Sequence, residues 1–152
     1  MMKKIRFAGE EDREKIAEAA RAAGITAEDN GKDGVFLMME NDDRSISAAI
    51  GIKVNGKEGL LRSFILSPGT APSDILHFFQ QTVAAAEKTG VRQLFLVTPD
   101  RRFSPFFEAF GFKQVPNLQE EPATEVRGKI QELLHSEGED GMLLCYDFDI
   151  VS

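Results

Sequence analysis

Apolar and polar positions along the chain change period several times, and each change marks an element. Ile5-Arg6-Phe7-Ala8 alternates as a short strand does. Over 12–23 the apolar positions Ile16, Ala19, Ala20 and Ala23 return at the spacing of one helical face, and Gly24 supplies a stop. The stretch 25–33 is polar, carries the turn pairs Asn30-Gly31 and Asp33-Gly34, and reads as loop. Strands follow at 35–39 and 45–54, separated by the Asn41-Asp42-Asp43 turn. Asn55-Gly56 is a hairpin signal, read as a type I′ turn needing positive φ at both positions, and it leads into a strand at 59–66. The period then lengthens over 74–88, where Ile75, Phe78, Phe79, Val83 and Ala86 form one stripe and Gly90 closes the helix. An apolar run at 91–98 fits a strand buried on both faces, so strand, helix and strand imply a right-handed parallel crossover. After the breaker Pro99-Asp100 come a short helix at 104–110 and a turn at Gly111-Phe112 into another strand. A helix at 123–134, with Val126, Ile130, Leu133 and Leu134 on one side, precedes a last strand at 142–148.

Composition narrows the picture. A chain of 152 residues, 42% hydrophobic and 28% charged, has the balance of a single domain over 1–152 with one core. The basic start Met1 to Phe7 runs into Ala8-Gly9-Glu10-Glu11-Asp12 and does not read as a signal peptide, and no apolar stretch has the length of a membrane span. Cys145 is the sole cysteine and His77 and His135 the only histidines, which excludes an internal disulfide and argues against a metal site. A reducing, cytoplasmic setting is expected. A formal charge of −7 argues against a nucleic-acid partner, since that binding runs on cations neutralising phosphates.

The element order β-α-β-β-β-α-β-α-β resembles that of the GNAT N-acetyltransferase superfamily over almost the whole chain. The sharpest local match is 100–112, Asp-Arg-Arg-Phe-Ser-Pro-Phe-Phe-Glu-Ala-Phe-Gly-Phe, where the family reads Asn-x-x-Ala-x-x-Phe-Tyr-x-x-x-Gly-Phe; Phe106, Gly111 and Phe112 stand in place. The resemblance implies an α/β (α+β) fold with a mixed, mostly antiparallel central sheet flanked by helices. It also implies acetyl-CoA as co-substrate, held in the split between strands 59–66 and 91–98, and transfer of the acetyl group to a primary amine of a small molecule or protein.

Several positions depart from the family pattern. Where a glycine-rich loop cradles the CoA pyrophosphate, this chain has Thr70-Ala71-Pro72-Ser73-Asp74-Ile75: no glycine, a proline without N–H and a carboxylate. Read locally, Thr70 or Ser73 caps a helix, Pro72 sits in its first turn and Asp74 complements the dipole. Phe107 replaces the tyrosine that often protonates the leaving thiolate, and Arg62 replaces a carboxylate base; arginine cannot act as a base, and serves either as an anion clamp or as an ion-pair residue. Asp100 replaces the asparagine that bonds the pantetheine arm. Arg101 and Arg102 read as a solvated turn or an anion contact. The CoA-contacting set implied is therefore Ile65 and Leu66 with their backbone N–H groups, Thr70, Ala71, Ser73, Asp74, Ile75, Asp100, Phe103 and Phe107. No catalytic residue is assigned; Arg62 and Tyr146, a hydroxyl expected beside the split, are the candidates. Glu58 and Asp42-Asp43 read as surface carboxylates, His77 as a helix-face residue and Cys145 as core packing. The alternative is a domain that has lost acetyl transfer and binds a ligand or partner. The last helix, at about 123–135, is extra to the family pattern and reads as a lid, a dimer contact or decoration, which leaves a homodimer open.

Overall fold

The computed structural model describes residues 3–22, 34–98, 101–115, 125–137 and 141–148. Its elements are β1 (Lys4–Phe7), α1 (Arg13–Ala22), β2 (Gly34–Glu40), β3 (Ile46–Asn55), β4 (Glu58–Leu66), α2 (Pro72–Lys88), β5 (Gln93–Thr98), α3 (Ser104–Glu108), β6 (Lys113–Gln114), α4 (Glu125–Glu137) and β7 (Met142–Asp147). The strands are hydrogen-bonded in the order β1-β2-β3-β4-β5-β7-β6. β4 and β5 run parallel, as the intervening helix requires, whereas β1–β2, β5–β7 and β6–β7 are antiparallel. This is the mixed, mostly antiparallel sheet with helices and one β-α-β crossover that the periodicity and the resemblance implied. By contacts the chain divides into two compact units, Met1–Ile52 with Arg62–Ala85, and Lys53–Leu61 with Ala86–Ser152.

The first unit is built on α1. A 3-10 turn at Glu10–Asp12 leads into the helix, whose Ile16 and Ala20, four residues apart, are 2% and 1% exposed. They pack with Met38 of β2, Ile46 and Ala49 of β3 and Ile65 of β4. β3 is buried without interruption from Ile46 to Ile52, so it is covered on both faces and its apolar content does not alternate. On α2, Phe78, Phe79 and Ala86 of the expected stripe are buried, while Ile75 and Val83 are half-buried. Thr82 lies between them, and its hydroxyl is satisfied by the Phe78 carbonyl at 2.8 Å.

An ion-pair network sits under the entry to α1. Arg6 donates Nε to Glu40 Oε1 at 2.8 Å and its two terminal nitrogens to the Asp12 carboxylate at 2.7 and 2.9 Å. Asp12 also accepts the Gly9 N–H at 2.8 Å. The β1–β2 register makes this possible: Arg6 lies opposite Met38, so Glu40 is its diagonal neighbour on the same face.

In the second unit β5 pairs with β4 on one side and β7 on the other, and its Leu94, Phe95 and Leu96 are buried. α4 lays Val126 and Ile130 onto Leu60, Phe95 and Leu143, with Leu134 at the edge of the same cluster. These three residues of α4 pack on the sheet of their own unit, and the side chain of Leu133 lies outside the described residues. Glu58 corrects an expectation. It is the first residue of β4, 9% exposed, and accepts Arg127 Nε of α4 at 2.9 Å, so it is a helix anchor and not a surface carboxylate.

The hairpin between β3 and β4 differs in type from the expected turn. Asn55 is still in the strand, Gly56-Lys57 forms the turn, and of these residues only Gly56 has positive φ, at 59°. Glycine first in a two-residue loop is the type II′ pattern, which asks for one left-handed residue and not two. The expected loop 25–33, the stop at Gly24 and the breaker Pro99-Asp100 lie outside the described residues.

Candidate functional site

In the first unit, Leu66, Thr70, Ala71, Ser73, Asp74 and Ile75 lie on one continuous path from the end of β4 to the first turn of α2. Ser67-Pro68-Gly69-Thr70 makes a tight turn there, closed by Thr70 N–H on the Ser67 carbonyl at 3.3 Å, with Gly69 at φ 85°. Proline second and glycine third is the type II arrangement. Side chains hold the turn against β3. Ser67 Oγ donates to the Ile46 carbonyl at 2.5 Å, Ser67 N–H to the Ser47 carbonyl at 2.9 Å, and Thr70 Oγ1 to the Ser67 carbonyl at 2.8 Å and, longer, to the Ser47 carbonyl at 3.2 Å. The hydroxyls of Ser47 and Thr70 meet at 3.2 Å.

This geometry corrects the expected cap. α2 begins at Pro72, so Ala71 precedes it and neither Thr70 nor Ser73 occupies the capping position. Thr70 secures the turn instead. Pro72 is the first helical residue, where its missing N–H costs nothing, and Asp74 falls in the first turn as the dipole favours. The N–H groups of Asp74 and Ile75 are both spent on the Ala71 carbonyl, at 2.9 and 3.1 Å. A phosphate arriving here therefore meets few open backbone amides, unlike one in a glycine-rich cradle. The polar side chains near this turn include Ser73 and Lys3, the second of which sequence reasoning missed. Lys3 Nζ donates to Ser47 Oγ at 2.9 Å and stands 3.5 Å from Asp74 Oδ2. The residues fit an anionic group through side chains more than through amides.

Ile65 is 2% exposed and belongs to the core around α1, while Leu66 is 40% exposed. Arg62 of β4 is half-buried. Its carbonyl lies 3.2 Å from where a Cβ on Gly51 would stand, so the glycine permits close approach of β3 to β4.

In the second unit α3 opens an aromatic chain. The Phe106 ring meets Phe107 at 5.2 Å and Phe110 at 5.3 Å, Phe107 meets Phe112 at 6.4 Å, Phe112 meets Tyr146 at 5.5 Å, and Tyr146 meets Phe148 at 4.8 Å. Phe107 thus packs edge-on among aromatics at the position where the family pattern has a phenol. Gly111, at φ 105°, lies under Tyr146; a Cβ there would come 2.9 Å from Tyr146 Cε2. Tyr146 is opposite Leu94, which is itself paired with Gly59 of β4. It therefore sits at a level where β4 and β5 are hydrogen-bonded partners, not beside a split. Asp100 lies outside the described residues, as does the side chain of Phe103.

Cys145 is half-buried on β7, and burial, with Asp147 and Glu58 adding, pushes its thiol up to about 12. Such a thiol is not a nucleophile near neutral pH. His77 is exposed on α2, as a helix-face residue should be. Among the described residues no group of three His, Cys, Asp or Glu side chains could hold a metal ion, and no helix is long and apolar enough to cross a membrane. A further cleft of about 470 Å³ in the first unit has the Arg6–Asp12–Glu40 network on its wall, with Lys15 and Arg44 among its other residues.

Comparison with known proteins bears on the fold. No protein-family model matches the chain. The uncharacterized protein YwlB of Bacillus subtilis is 30% identical over 124 residues, which cover 80% of this chain and 84% of that one. Among solved structures, the N-acetylglutamate synthase of Neisseria gonorrhoeae complexed with coenzyme A and N-acetyl-glutamate is similar over 97% of this chain, with a TM-score of 0.70 and 19% identity. The match spans 35% of the synthase, about a third of its length. The ribosomal-protein-S18-alanine N-acetyltransferase of Escherichia coli is similar over 99% of this chain and 97% of its own, with a TM-score of 0.71 and 13% identity.

Proposed function

Because the chain belongs to the family of the Bacillus subtilis protein YwlB and has the GNAT acetyltransferase fold, we propose that it is an acetyl-CoA-dependent N-acetyltransferase acting on a primary amine. The observation that carries the reading is the connection from β4 through the Ser67–Thr70 turn into α2, ahead of a parallel return in β5. It sets the hydroxyls of Ser47 and Thr70 beside the ammonium of Lys3, a group of side chains that favours a phosphorylated ligand.

The chemistry asks little of this chain in acid and base groups. The amine nitrogen attacks the thioester carbonyl carbon, the carbon–sulfur bond breaks, coenzyme A leaves as the thiol, and the amine gives up a proton. Phe107 has no proton to lend and Arg62 no basic site. The leaving thiolate is then protonated by solvent, and the rate enhancement rests on holding the two reactants together. Positioning alone can contribute on the order of 7–11 kcal/mol, so catalysis survives the loss of both groups at a reduced rate. The two structural neighbours carry names that point to a free amino acid and to an amine on a protein, and the acceptor of this chain is proposed from the same two classes.

Thermal unfolding with acetyl-CoA, coenzyme A and ADP tests the reading. A ligand at about 100 times its dissociation constant stabilises the fold by roughly 2.7 kcal/mol, a shift of several degrees for a domain of this size. A shift with acetyl-CoA supports the proposal. None at millimolar acetyl-CoA removes it and leaves the fold serving another ligand.

A further inference from the structure

We infer that Lys3 is the side chain that binds the diphosphate of coenzyme A, and that Asp74 is the internal anion it must leave to do so; this rests on the acetyl-CoA reading above. Three observations converge on it. The first turn of α2 offers an anion fewer amides than a glycine-rich loop does, because Pro72 lacks an N–H and that of Asp74 bonds to the Ala71 carbonyl. The charge must then come from a side chain. Lys3 Nζ is the cation at this turn, fixed at 2.9 Å on Ser47 Oγ, which is itself tied to Thr70. The β1 pairing that begins at Lys4↔Glu40 holds the backbone of Lys3 next to this end of the sheet.

The present partner of Lys3 is itself an anion. Asp74 Oδ2 is 3.5 Å away, and the two side chains are 24% and 36% exposed. A pair this open is weak. A diphosphate offers more charge and charge-assisted hydrogen bonds, so it displaces the carboxylate at small cost. An ammonium has three donors, and retaining Ser47 leaves two for phosphate oxygens. Asp74 without its cation then lies beside the incoming anion and lowers affinity. Coenzyme A affinity in this chain is thus set by a lysine and an aspartate and not by glycine amides.

Isothermal titration of coenzyme A and dephospho-coenzyme A into wild type, K3M, K3R and D74N tests the assignment. Binding by K3M should weaken about tenfold or more, with the salt dependence of the dissociation constant reduced. K3R should keep most of the affinity and D74N should bind several-fold more tightly than wild type. The loss in K3M should be the same for both ligands, since they share the diphosphate. Unfolding midpoints of the variants, whose altered side chains are partly exposed, should stay near that of wild type. Wild-type binding with unchanged affinity in K3M overturns the role of Lys3 and leaves the acetyl-CoA reading intact. A loss confined to coenzyme A overturns the diphosphate assignment in favour of the 3′-phosphate. Absence of coenzyme A binding by wild type overturns the parent reading and this one with it.

Discussion

Replacing Asp12 with asparagine tests the ion-pair network that joins β1, β2 and the start of α1. Asp12 is 3% exposed and accepts two hydrogen bonds from Arg6 and one from Gly9. The Arg6 hydrogen bonds chiefly, with the Gly9 N–H adding, hold its carboxyl at about 2 against an ordinary value of 3.8. At about 1.4 kcal/mol per pKa unit, that depression corresponds to roughly 2 kcal/mol. The folded form has the lower pKa, so this stability is fully present above pH 4. It is lost as the pH falls through 4 toward 2. Glu40 is lowered by the same arginine and adds a contribution of the same sign. Urea unfolding of wild type and Asp12→Asn from pH 7 down to pH 2 gives the difference directly. It should be about 2 kcal/mol or more at neutral pH, given the buried site, and should shrink steadily below pH 4. A difference that stays constant across this range would show that the charge on Asp12 does not stabilise the fold.

Other consequences follow from single positions. Gly111→Ala forces a side chain into φ 105° and against Tyr146, and should lower the unfolding midpoint by several degrees, a cost of about 2 kcal/mol or more. Arg127→Met strips Glu58 of an ion-pair partner in a largely buried position and should cost about 3 kcal/mol in urea unfolding, with much of it regained in the double variant Glu58→Met/Arg127→Met. Arg44 is the one non-glycine residue with positive φ among those described, at 69°, so Arg44→Gly should raise stability by about 0.5–1 kcal/mol.

How much of this was legible in the sequence depends on the range of the interactions involved. The helices and strands follow from local period, which is why Ile16 and Ala20, or Phe78 and Phe79, could be placed in the core from spacing alone. Gly90 and Gly111 marked ends correctly because a turn is a local property. The polar contacts were not legible. Arg6 and Glu40 are 34 residues apart, Glu58 and Arg127 are 69 apart, and neither pair exists until strand register and helix docking are set. Lys3 was passed over for the same reason, since nothing near it in sequence indicates Ser47 or Asp74. The Pro68-Gly69 pair does carry a local signal for the turn before α2. Tyr146 was misplaced because the pairing of β7 with β5, which fixes its level in the sheet, cannot be read from its own strand.

Acetyl transfer to an amine is read most directly as thiol release from acetyl-CoA in the presence of an amine panel, with the products weighed by mass spectrometry. The panel should span free amino acids and a peptide with an N-terminal alanine. Release should depend on one class of amine, with one acetyl group gained by that amine for each thiol released. Coenzyme A bound firmly by the protein, with no amine accelerating thiol release, would contradict it.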